Sequence, residues 1–153
     1  MTASVVTDDE AMALAIQQAR GALEHGDVPV GAVVVCRGEV IACRHNEREL
    51  KKDPLAHAEV LAIRDAAAAL KSWRLNNCTL FVTLEPCPMC AGACINSRLE
   101  RLVFGASDPK AGATGSLYNL CADPRLNHEI AVTPGVMAEE SAAMLRAFFA
   151  LRR

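Results

Sequence analysis

The run Leu80-Phe81-Val82-Thr83-Leu84-Glu85-Pro86-Cys87-Pro88-Met89-Cys90 limits what this chain can fold into more than any other stretch. Its first five residues are rich in apolar and β-favouring side chains and read as a buried strand. Pro86 and Pro88 then stop the strand and prepare the first turn of a helix. A strand that passes straight into a helix needs a crossover, so the sheet that holds it has parallel neighbours. The same turn sets Cys87 and Cys90 on one face at a helix start. There the dipole and the unsatisfied N–H groups favour thiolate, the form of cysteine that reacts and binds metals.

The remaining segments supply the rest of such a sheet. Thr7-Asp8-Asp9-Glu10 has capping-box spacing, and Met12, Ile16, Ala19 and Leu23 follow on one helical stripe that Gly26 ends. Val28 to Cys36 and Val40 to Cys43, joined through Arg37-Gly38, predict a hairpin of two buried strands. His45 to Asp53 turns polar and predicts a surface loop, and Pro54 biases Asp53 away from helix. Ala58 to Leu70 reads as a helix apolar enough to lie under other structure. Then come the strand Cys78 to Leu84, a helix from Pro88 to Asn96 and a strand from Arg101 to Phe104. Ala106 to Tyr118 is a glycine-containing loop, Ile130 to Thr133 a short last strand, and Glu139 to Leu151 a closing helix. This alternation predicts an α/β fold, a three-layer α/β/α sandwich around a mixed five-stranded sheet.

At 153 residues, with 52% hydrophobic and 22% charged, a single domain spanning 1–153 is expected. Lys and Arg number 16 against 18 acids, and a net charge of -2 gives no general pull toward nucleic acid or anionic membrane. Any RNA binding therefore needs a local surface. No apolar run approaches the roughly 20 residues of a membrane span, and the acidic stretch from Met1 to Glu10 is unlike a signal peptide. A cytoplasmic protein without membrane contact is expected. Seven cysteines without a secretory signal favour metal binding or packing over a disulfide framework.

Cys87 and Cys90 supply half of a tetrahedral zinc site, and Pro54-Leu55-Ala56-His57-Ala58-Glu59 offers the missing ligand. His57 and Glu59 are two apart and diverge in mid-helix, so they serve one site only if His57 lies where the chain enters its helix. Three protein ligands are the number for a catalytic zinc, which keeps a position open for water. Glu59 then fits a proton shuttle beside the metal. A redox pair and a four-ligand structural knuckle are the competing readings of Cys-x-x-Cys, and Cys94, one turn after Cys90, is either a fourth ligand or a packed thiol.

These residues carry a resemblance. His57-Ala58-Glu59 with Pro86-Cys87-Pro88-Met89-Cys90 resembles the signature of the zinc-dependent nucleoside and nucleobase deaminases. Asp27-Val28-Pro29-Val30-Gly31-Ala32, Val82 to Cys87, Met89 to Ala93 and Gly115-Ser116-Leu117 extend it over nearly the whole chain to the bacterial tRNA-specific adenosine deaminases, within the cytidine/deoxycytidylate deaminase superfamily. The resemblance implies a cytidine deaminase-like fold and a homodimer that hydrolyses the wobble adenosine of a tRNA anticodon stem-loop to inosine. By it His57, Cys87 and Cys90 hold one Zn2+ per chain, whose hydroxide attacks the base while Glu59 shuttles the proton. Val30 would line the base pocket, Asn46 would bond the flipped nucleoside, and Asp108, Lys110 and Phe149 would meet the RNA. Phe149 is equally read as a core residue. Leu55 and Cys94 depart from the family pattern without touching the metal motif. The alternatives are a deaminase of a free base or nucleoside, of guanine or cytosine type, and a non-catalytic zinc-binding module, which gives no reason for Glu59.

Overall fold

Thr7 Oγ1 accepts the Glu10 N–H at 3.1 Å while the Glu10 carboxylate takes the Thr7 N–H, so the expected capping box starts helix α1, Asp8–Ala22. A short 3-10 turn, Leu23–His25, carries α1 to Gly26, whose left-handed φ of 77° ends it. The computed structural model describes residues 5–152, so Met1 to Ser4 and Arg153, the ends of the expected 1–153 domain, lie outside the described residues.

Five strands follow: β1 Gly31–Cys36, β2 Glu39–His45, β3 Cys78–Leu84, β4 Arg101–Ala106 and β5 Ala131–Thr133. Between them lie α2 Arg48–Lys51, α3 Ala58–Leu70, α4 Pro88–Asn96 and, after β5, α5 Ala138–Ala150. The sheet order is β2-β1-β3-β4-β5. β3, β4 and β5 run parallel, β3 passing to β4 through α4 as the strand-to-helix turn predicts, whereas β1 is antiparallel to both β2 and β3.

Side chains alternate across the sheet with period two and build two cores. Ala32, Val34, Leu80, Val82, Leu102 and Phe104 face one side, where Ala58, Ala62 and Ala66 of α3 and Cys94 and Ile95 of α4 cover them. Val33, Val35, Phe81 and Val103 face the other, under Ala11, Met12, Ala15 and Ile16 of α1, with Met144 of α5 packed alongside. This is the three-layer α/β/α sandwich. Gly31 is required by the closeness of α1 to β1, because a Cβ there would collide with the Ala15 carbonyl.

Several expectations are corrected. The first strand begins at Gly31 rather than Val28: Pro29 has no N–H for a ladder, and Val30 donates to the Val28 carbonyl at 2.9 Å instead. β2 is an edge strand in which Ala42 alone is buried, so its apolar run does not mark a core strand. The polar segment after His45 is not a plain surface loop. Asn46 and Glu47 are buried there, and the fully buried Asp27 carboxylate accepts the Glu49 and Leu50 N–H groups at 2.6 and 3.1 Å, starting α2. Helix α3 is covered on one face only, and Ala68 to Leu70 are exposed.

Candidate metal and catalytic site

β1 separates the two segments that carry the candidate donors, so they do not follow adjacent strands as a simple parallel crevice would have them. β2 and β3 nevertheless point the same way, since each is antiparallel to β1, and the chain leaves both at one edge of the sheet. From β2 it reaches His57 through α2; from β3 it reaches Cys87 directly. Both residues are N-caps in extended backbone, at φ -74°, ψ 150° and φ -74°, ψ 173°, and neither side chain caps its helix. Each is thus free to point away from its own helix. Pro88 opens α4, and Cys90 follows in the first turn.

His57 Nδ1 lies 3.8 Å from Cys87 Sγ and 3.4 Å from Cys90 Sγ. One donor atom from each of the three falls within 4.8 Å of the others, the only such group among the described residues that could hold a metal ion. Cys94 is outside this group, fully buried in the α3–α4 core near Cys121, so it packs. The electrostatics already favour a thiolate. Cys87 is brought down to about 4, first by the hydrogen bond from Cys90 and then by that from His57. His57 is raised, chiefly by its bond to Cys87. Cys90 is pushed far up by its bond to Cys87 and by burial.

Glu59, the second residue of α3, is 5% exposed, and burial raises its carboxyl above the ordinary range. With His57 and Cys87 it lines a cleft of about 170 Å³. Drug-sized ligand pockets begin at roughly 300 Å³, so this one has room for a single base. Val28 and Val30 form an apolar wall with Ala58 and Leu84, and Asn46, Arg48, Glu85, Asp108 and Ala111 complete the cleft.

The expected site residues divide accordingly. Val30, Asn46, His57, Glu59, Cys87 and Asp108 share the cleft, and Cys90 lies behind it against His57. Asn46 is braced at both ends of its amide, donating to the Val28 carbonyl at 3.2 Å and accepting the Arg48 N–H at 3.1 Å, which leaves one N–H and acceptor capacity free. Lys110 is exposed on the same loop as Asp108, outside the cleft lining, and its N–H bonds Asp108 Oδ1 at 3.0 Å. Phe149 is half exposed on the last turn of α5 and touches the buried Phe148 edge to face, also outside the lining.

Sequence reasoning missed Asp27 and Glu85, buried acids at 1% and 2% exposure that organise the segments around the cleft. The signal was an acid at the edge of an apolar run with a proline one or two residues on, where a solvated charge is out of place.

A family profile for MafB19-like deaminases matches residues 6–153. The tRNA-specific adenosine deaminase of Bacillus subtilis (strain 168) is 54% identical over 145 residues, covering 94% of this chain and 90% of its own length. That of Haemophilus influenzae is 47% identical over 147 residues, covering 95% and 85%. A solved structure from biochemical and structural studies of A-to-I editing by tRNA:A34 deaminases at the wobble position of transfer RNA is similar with a TM-score of 0.85 and 44% identity, covering 88% of this chain and 98% of that one. The guanine deaminase of Nitrosomonas europaea is similar with a TM-score of 0.84 but 26% identity, covering 97% and 87%.

Proposed function

The chain belongs to the family of the tRNA-specific adenosine deaminases, and from that membership we propose that it converts the wobble adenosine of a tRNA anticodon to inosine, with water consumed and ammonia released. The observation that carries the reading is the convergence of His57 Nδ1 and the Cys87 and Cys90 sulfurs beside a buried Glu59 in a base-sized cleft. Two thiols and an imidazole suit Zn2+, and three protein donors suit a catalytic rather than a closed structural ion, so His57, Cys87 and Cys90 are assigned to one zinc per chain. When bound there, zinc supplies Lewis acidity and lowers the pKa of water enough for hydrolysis at neutral pH.

The protein's own groups do the rest. Glu59, its carboxyl raised by burial, is placed to take a proton from the attacking water and pass it to the exocyclic nitrogen that leaves as ammonia. Val28 and Val30 grip the faces of the base and keep bulk water from it, and the spare capacity of Asn46 orients the nucleoside. Asp108 stands at the cleft. Lys110 and Phe149, outside it, are assigned to neighbouring nucleotides, whose binding aligns the base for reaction. The proposed assembly is a homodimer. It is supported by an open groove between α3 and α4, where Val60, Ala67 and Ala93 meet Trp73, itself 59% exposed. A cytoplasmic location is proposed as well. It suits a tRNA substrate and unpaired cysteines, and no helix among the described residues is long and apolar enough to cross a membrane.

Guanine deaminases share the fold, so substrate is the point to test. Incubation with an anticodon stem-loop carrying a wobble adenosine is expected to yield inosine and ammonia, and free adenosine, cytidine, cytosine and guanine to react very poorly. Rapid ammonia release from guanine or a cytosine compound, with none from the stem-loop, would reassign the enzyme to free bases.

A further inference from the structure

We infer that Glu85 is a positioning residue: its carboxylate holds the segment from Asp108 to Ser116 in its working shape against the cleft, and so sets how tightly the RNA binds. The inference rests on the reading of the protein as an RNA adenosine deaminase. Glu85 stands one residue past the end of β3 and two before Cys87, with its side chain buried. One carboxylate oxygen accepts the Asp108 N–H at 3.0 Å together with the Ser116 hydroxyl. The other accepts the N–H groups of Thr114 at 3.1 Å and Ser116 at 3.0 Å. Four donors fill the capacity of a carboxylate, and three of them are backbone amides from the two ends of one irregular segment.

The segment's other bonds are mostly local: the Asp108 carboxylate accepts the Lys110 and Ala111 N–H groups at 3.0 and 3.2 Å, and the Gly112 N–H bonds the Asp108 carbonyl at 2.8 Å. Its internal order consists of turns and a single bridge between Thr114 and Asn119. One backbone bond fastens it to the donor-bearing turn, from the Ala113 N–H to the Pro86 carbonyl at 2.8 Å, while the Glu85 N–H bonds the carbonyl of Ala106 at the end of β4, also at 2.8 Å. Gly112 lies flat against the Glu85 carboxylate, where a Cβ would collide with it. The segment also carries Asp108 and Ala111 into the cleft wall and Lys110 onto the surface beside it. Glu85 therefore ties the wall that meets the substrate to the turn that bears Cys87. A wall ordered before substrate arrives lets contacts to the base and its neighbours go into affinity instead of into ordering the loop.

Glu85→Gln keeps size and shape but turns an N–H2 group toward backbone N–H donors. Its expected signature is a KM for the stem-loop raised about tenfold or more, kcat changed by less than about threefold, and zinc per chain unchanged. Amide hydrogen exchange at Asp108, Thr114 and Ser116 should be faster in the variant, a readout that does not depend on turnover. Gly112→Ala presses on the same carboxylate from the loop side and should raise KM alone. In a Glu85→Ala background the added methyl meets no carboxylate, so the two changes should be clearly non-additive.

Unchanged KM with unchanged exchange in Glu85→Gln would overturn the inference, as would loss of zinc and kcat in proportion at constant KM. If Glu85→Gln does not fold, Gly112→Ala decides, and a normal KM there overturns it. Failure of the wild-type enzyme on the stem-loop would instead sink the RNA reading, while amide exchange still tests the Glu85 anchor.

Discussion

His57 and Cys87 occupy positions where a Ser, Thr, Asp or Asn would ordinarily cap the helix, and such a cap stabilises it by about 1 kcal/mol. An imidazole and a thiol stand there instead, so donor placement has overridden local helix stability. Cys87→Ser separates the two. The hydroxyl restores a capping group but is a poor zinc ligand, so the variant should bind far less zinc by elemental analysis while its metal-free form melts no lower than the metal-free wild type. Glu59→Gln should do the opposite, retaining zinc and fold but losing about 100- to 10,000-fold in kcat, the usual worth of a positioned proton carrier. Near-normal turnover in zinc-replete Glu59→Gln enzyme would remove Glu59 from the chemistry. The pairing of His57 with Cys87 and Cys90 was legible in the sequence because ligand chemistry restricts residue types so sharply. The tasks of Asp27 and Glu85 were not, since they take up backbone amides that any residue can offer.

Among the elements, α1, packed on the sheet through its apolar face, is also joined to it by an ion pair. Asp8, in the first turn of the helix, receives Arg101 of β4 through two bonds of 2.8 and 2.6 Å. The Arg101 hydrogen bond holds the Asp8 carboxyl below its ordinary value. Its stabilisation is therefore complete above the unfolded value of about 3.9 and disappears as pH falls through the lower folded one. The stability gap between wild type and Arg101→Gln, followed by chemical denaturation, should close as the medium is acidified through that range; a gap independent of pH would show that the pair contributes nothing electrostatic. Thr7→Ala, at the head of the same helix, removes the hydroxyl that accepts the Glu10 N–H and should lower stability by about 1 kcal/mol, read by the same denaturation. α1 and α4 could be located from sequence because caps and prolines are local signals. The standing of β2 could not, because its apolar run is the same whether a neighbour lies on one side or two. The start of β1 was hidden for a related reason: Val28-Pro29-Val30 has a strand's composition but forms the wall of a cleft.

For the molecule as a whole, the proposed dimer makes a direct prediction. Trp73 is flanked by the guanidinium groups of Arg74 and Arg98 at 4.6 and 5.8 Å from its ring, at one end of the α3–α4 groove. Trp73→Glu should shift sedimentation from dimer toward monomer while circular dichroism stays native. An unaltered sedimentation coefficient would exclude this face as the contact. The sheet order has a bearing on biosynthesis too. His57 precedes Cys87 by 30 residues, and β3 must insert beside β1, on the side away from β2, before the two can meet. A nascent chain that has released β1, β2 and α3 from the ribosome therefore displays His57 but neither Cys87 nor Cys90. On the proposed assignment of the three donors, metal capture becomes possible only after β3 and α4 have emerged and docked, so a chain stalled earlier holds no competent site.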